Sequence, residues 1–112
     1  MNAEEIRDYA LAKEDVEEGF PFGETALVFK NSGKMFLLVA LDSQPLQFNV
    51  KCNPEKAEEL REQYASVLPG YHMNKKHWNT IIVDGALPRK LLKEMIDDSY
   101  ELVRPKKKVA KK

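Results

Sequence analysis

The chain has 112 residues, 43% of them apolar and 32% charged, with no formal net charge, which is enough for one hydrophobic core and too little for two. It contains no run of about eighteen apolar residues, so a membrane-spanning helix is not expected, and the opening "MNAEEIRDYALAKED" is too acidic and too often interrupted for a signal peptide. A cytoplasmic location is expected, in keeping with a lone cysteine, Cys52, that lacks both a disulfide partner and companions at zinc-ligand spacing.

Asn2 followed by Glu5 has the form of a capping box, and Ile6, Tyr9, Ala10 and Lys13 recur at helical spacing, predicting a first helix to about Ala12. The stretch "EDVEEGFPFGE" reads as a connection broken by Gly19, Pro21 and Gly23, with Phe20 and Phe22 expected to plug the domain edge. Its acids Glu14, Asp15, Glu17 and Glu18 read as a solvated run rather than a cation site. "TALVFK", "NSG" and "KMFLLVAL" predict a strand, a reversal and a strand, the Ser-Gly pair supplying a residue that tolerates positive φ. After "DSQP", "LQFNVKC" alternates strictly, placing Leu46, Phe48, Val50 and Cys52 on a covered face and Gln47, Asn49 and Lys51 on a wet one. By this parity Cys52 is a small buried hydrophobe rather than a reactive thiol.

Asn53 is placed to cap a second helix with Pro54 at its first position and a stripe of Ala57, Leu60, Tyr64 and Val67 or Leu68, ending before Pro69-Gly70. "GYHMN" and "HWNTIIVD" predict a second hairpin across Lys75-Lys76. A third helix follows from Pro88, with Leu87, Leu91, Leu92, Met95, Ile96 and Leu102 or Val103 facing the sheet. The order α-β-β-β-α-β-β-α predicts a single α+β domain over residues 1–104 with a largely antiparallel five-stranded sheet. The last nine residues, "RPKKKVAKK", carry six cations and no acid; without them, residues 1–103 hold 12 bases against 18 acids. An acidic body favours local basic patches over a broad groove, and residues 105–112, with Val109 alone worth burying, are expected to form a disordered basic arm.

No GxSxG elbow, Walker loop, dinucleotide fingerprint or HExxH is present, so neither an enzyme nor a bound cofactor is expected. His72 and His77, five apart with no neighbouring carboxylate, are a poor metal pair. The segment "PGYHMNKKHWNT" suits recognition better: Lys75 and Lys76 at a hairpin tip can neutralise phosphates, while His72, Asn74, Asn79 and Trp78 offer groove or stacking contacts. Trp78 itself is expected mostly in the core.

Taken together, "FPFGE", "LVFK", "GKMF", "NVKCNPEKAEELREQY", "PGYHMNKKHWNT" and "LLKEMIDDSYELV" resemble the MmcQ/YjbR family of small bacterial proteins, collinearly from Ile6 to Val103. The resemblance implies an α+β fold of the type shared with secretion chaperones and a proposed "double wing" mode of DNA binding, in which exposed strands and loops approach the duplex. That mode fits Lys75 and Lys76, with Lys34, Lys51 and the tail lysines Lys106, Lys107 and Lys108 as supports. The expectation is a DNA-binding or regulatory module, monomeric or weakly dimeric and without a membrane partner. The alternative is a protein-interaction or chaperone-like adaptor; an enzyme using the His72, Asn74, His77, Trp78 cluster as a pocket ranks third.

Overall fold

Asn2 opens the first helix, α1 (Ala3–Leu11), in a computed structural model that describes residues 1–70 and 73–105. The capping box is complete: Asn2 Oδ1 accepts from the Glu5 N–H at 2.8 Å and Glu5 returns a carboxylate oxygen to the Asn2 N–H at 3.0 Å. The strands are β1 (Val16–Gly19), β2 (Ala26–Asn31), β3 (Lys34–Ala40), β4 (Leu46–Lys51), β5 (Val67–Pro69) and β6 (Trp78–Val83), with α2 (Pro54–Gln63) after β4 and α3 (Arg89–Val103) last. His72, Lys106, Lys107 and Lys108, and with them the expected disorder of the tail, lie outside the described residues.

The strands form one antiparallel sheet in the order β1-β2-β3-β4-β6-β5, six-stranded rather than five-stranded. The additional strand is β1, where Val16 pairs with Asn31 and Glu17 with Lys30 inside the stretch expected to be a connection. Two of its four residues are glutamates, so it lacks an apolar alternation of its own; α1 steadies it instead, Arg7 gripping Glu18 through two bonds of 2.7 Å. A second difference lies after α2. The helix ends at Gln63 and Tyr64 is already extended, so Val67 and Leu68 alternate as strand residues, 1% and 42% exposed, instead of extending a helical stripe. The strand pairing with β6 is therefore upstream of "GYHMN".

Register explains the core. Leu27, Phe29, Leu37, Val39, Phe48, Val50 and Ile81 share one face of the sheet, and Ile6 and Ala10 of α1, Ala57 and Leu60 of α2, and Leu92, Met95, Ile96, Tyr100 and Val103 of α3 close over it. The β2–β3 register slips between Phe29 and Lys30, a bulge that lets both Phe36 and Leu37 be fully buried, with Phe36 edge-on to Tyr100 at 5.3 Å. Of the two candidates at the end of α3, Val103 is the core residue and Leu102 is half exposed. The opposite face carries Val28, Leu38, Asn49, Thr80 and Leu68 in one cross-strand row, and the core cluster takes in none of them. Asn49 has the expected parity but is 7% exposed: mid-sheet, it is flanked by Leu38 and Thr80, and the Thr80 hydroxyl bonds its carbonyl oxygen.

Phe20 and Phe22 do not plug the edge as expected. They are 50% and 68% exposed, on the loop that leaves β1. Among the described residues no helix is long and apolar enough to cross a membrane.

Candidate nucleic-acid interface

Antiparallel pairing gathers several chain segments at one end of the sheet. The β2–β3 turn at Ser32-Gly33 is there, both residues at positive φ as a two-residue hairpin requires. Because Leu37 pairs with Val50 and Lys51 with Trp78, the end of β4 and the start of β6 lie at the same end. The C-terminal half of α3 is fastened alongside: Ser99 Oγ donates to the Phe36 carbonyl at 2.5 Å and accepts from the Lys51 N–H at 2.8 Å. Tyr100 donates to the Glu14 carbonyl at 2.6 Å and accepts from Asn31 Nδ2 at 3.4 Å. The described chain thus ends, at Pro105, beside Glu14, Asp15, Asn31 and Ser32.

Between β5 and β6 the chain makes a loop whose described part, Met73–His77, carries the lysine pair. Asn74 organises it, its side-chain oxygen accepting from the Lys76 N–H at 2.9 Å and its carbonyl from the His77 N–H at 3.1 Å. The exits are tied down: the Cys52 N–H donates to the His77 carbonyl at 2.7 Å and the Gly70 N–H to the Trp78 carbonyl at 2.9 Å. Lys75 is exposed, yet its ammonium turns back toward the Gly70 carbonyl at 3.3 Å. Lys76 lines a shallow depression of about 130 Å³ with Pro54, Glu55, Glu58 and Arg61.

Lys51 and Trp78 are cross-strand partners on the face without helices, adjoining this loop. Lys34 reaches the same end but pairs with Asn31, whose side chain bonds Tyr100 of α3, so it belongs to the helix-bearing side. Asn79 is not available as a surface contact. It is 1% exposed and shares the core parity of Ile81, because its amide fastens β6 to α2. Trp78 is half-buried rather than interior. The Cys52 thiol is buried at this end, and burial pushes its pKa up against the opposing pull of Lys56. Acids are interleaved throughout, including Asp98, ion-paired to Lys56 at 2.9 Å. Among the described residues no cluster of three or more His, Cys, Asp or Glu side chains is arranged to hold a metal ion.

The YjbR family model matches residues 11–102. The chain belongs to the YjbR family. Its relatives include the uncharacterized Escherichia coli O157:H7 protein YbdF, 40% identical over 101 residues that cover 89% of this chain and 82% of YbdF. The uncharacterized YjbR of Escherichia coli K12 is 33% identical over 101 residues, covering 90% of this chain and 86% of YjbR. Among solved structures, the Deinococcus radiodurans protein DR2400, of domain DUF419, superposes with a TM-score of 0.87 at 38% identity, covering 91% of this chain and 78% of that one. A Pseudomonas syringae protein superposes at 0.79 and 30% identity, over 93% of this chain and 100% of that one. This YjbR-family chain also has a residue at the candidate interface that is absent from the sequence-based set, Arg61, bonded to both Asn79 and the Lys75 carbonyl. The available signal was its place one turn after Ala57, on the side of α2 that faces the sheet.

Proposed function

We propose that this protein is a small nucleic-acid-binding module, a binder rather than a catalyst, that meets DNA with the sheet end bearing the Met73–His77 loop. The observation that carries this reading is the pairing of Lys51 with Trp78 directly beside the loop that presents Lys75 and Lys76. An exposed lysine neutralises one backbone phosphate, and the accessible part of a half-buried indole provides a stacking surface beside it. The tight β2–β3 turn and the β5–β6 loop project from the same end, which suits a two-pronged approach, with Lys34 and the tail lysines as secondary contacts. The interleaved acids argue for a limited footprint, and hence for a shallow salt dependence set by a few phosphate contacts. Titration of duplex DNA, single-stranded DNA and RNA over a salt series, with the full chain and with a chain ending at Val103, tests it: duplex binding that survives truncation supports the loop, and binding that vanishes with the tail refutes it.

A second reading, a protein-interaction adaptor, has its own support in exposed apolar side chains: Phe20 and Phe22 on the loop that leaves β1, and Leu68 on the face that no described helix covers. Loss of nucleic-acid binding in the tail-less protein would move this reading to first place.

A further inference from the structure

Arg61 reaches from α2 to acceptors in two other segments. Its Nε donates to Asn79 Oδ1 at 2.7 Å, and a terminal guanidinium nitrogen donates to the Lys75 carbonyl. Asn79 is itself held, almost fully buried, with Nδ2 3.4 Å from the Ala57 carbonyl of the same helix. One guanidinium therefore ties the backbone of the lysine loop to a buried amide that is already fixed to α2.

We propose that Arg61 is the positioning residue of the Met73–His77 loop: without touching the ligand, it sets the backbone that carries Lys75 and Lys76. The proposal rests on the nucleic-acid reading for the identity of the ligand, but the latch stands on its own geometry. A planar guanidinium presents N–H groups at fixed angles and bridges both acceptors at once, whereas an ammonium is a point charge that serves one well. Glu55 and Glu58 share the depression with Arg61 and Lys76, and their charge disfavours a phosphate settling at Arg61 itself. The latch also acts on the closure of the loop, since Lys75, whose carbonyl Arg61 holds, is the residue that turns its ammonium onto Gly70.

Two variants of the full chain, Arg61→Lys and Arg61→Gln, test this, so that a failure to fold in one leaves the other to report. Amide exchange in the absence of ligand is the first readout: the Lys76 and His77 N–H groups should exchange about tenfold faster or more, with the amides of β3 and β4 unchanged. The second is binding to a duplex of about 20 base pairs: Arg61→Lys and Arg61→Gln should each weaken it about tenfold, and Arg61→Gln, which removes the charge, should leave the slope of log K against log[salt] as in the parent, because no phosphate contact is lost. Unchanged exchange at Lys76 and His77 overturns the latch. A slope reduced by about one also overturns it, since Arg61 would then be a phosphate contact itself. If the parent chain does not bind the duplex, the nucleic-acid reading fails alone and the exchange result decides the latch.

Discussion

Gly70 is required by distance rather than by an unusual backbone angle. A Cβ there would stand 2.7 Å from Trp78 Cβ and 3.1 Å from the Trp78 carbonyl oxygen. Gly70→Ala is accordingly expected to cost about 1–3 kcal/mol through overpacking, seen as a lower urea midpoint at unchanged m; an unaltered midpoint would mean that the loop entrance gives way freely. Cys52 leads to a second expectation. Since it is 7% exposed and burial raises its thiol pKa, native protein at neutral pH should react slowly with a thiol reagent and rapidly once unfolded, and fast native labelling would contradict the placement. The burial of Cys52 was legible from the parity of "LQFNVKC". That of Asn79 was not, because both parities of "HWNTIIVD" contain large apolar residues, Trp78 and Ile82 on one side and Ile81 and Val83 on the other. Only pairing with Val50 selects the buried one.

Between elements, the α1–α3 contact is polar and sensitive to alkali. Tyr9 donates to the Asp97 carboxylate, its oxygen 2.7 and 2.9 Å from the two carboxylate oxygens, and Lys13 adds an ion pair to the same group at 2.5 Å. Burial first, and the bond to Asp97 second, push the Tyr9 pKa up from 10.0 to about 12. Folding thus favours the protonated phenol, and its contribution to stability is whole below pH 10 and lost as pH rises toward about 12. The urea midpoint of the parent should fall over that interval, and Tyr9→Phe, already weaker at neutral pH, should fall less. Identical alkaline losses in both would refute the assignment. Elements with strong local signals were readable: the capping box of α1, the Ser32-Gly33 hairpin, the alternation of β4 and the Asn53-Pro54 start of α2. The short strands β1 and β5 were not, since four residues with two glutamates and three ending in proline owe their pairing to β2 and β6, brought alongside only in the folded chain.

At the scale of the molecule, the three described helices cover one face of a six-stranded sheet, and the register delivers Lys51, Trp78 and the Lys75-Lys76 loop to one end of it. The α+β class and the antiparallel sheet were legible in the order of elements. The convergence of Lys51 with the loop was not, because it depends on β4 pairing with β6 across an intervening helix. The uneven charge, a body richer in acids and a tail of lysines, means that attraction of DNA to the tail alone can imitate recognition. The most direct measurement is therefore the salt dependence of duplex binding by the chain ending at Val103, with and without the double substitution Lys75→Ala and Lys76→Ala. The loop reading predicts that the tail-less protein binds at low salt, and that the double variant keeps the parent's urea midpoint, binds more weakly, and has a slope of log K against log[salt] flatter by up to about two. Equal affinity and equal slope in the two proteins, or no binding by either, would contradict it.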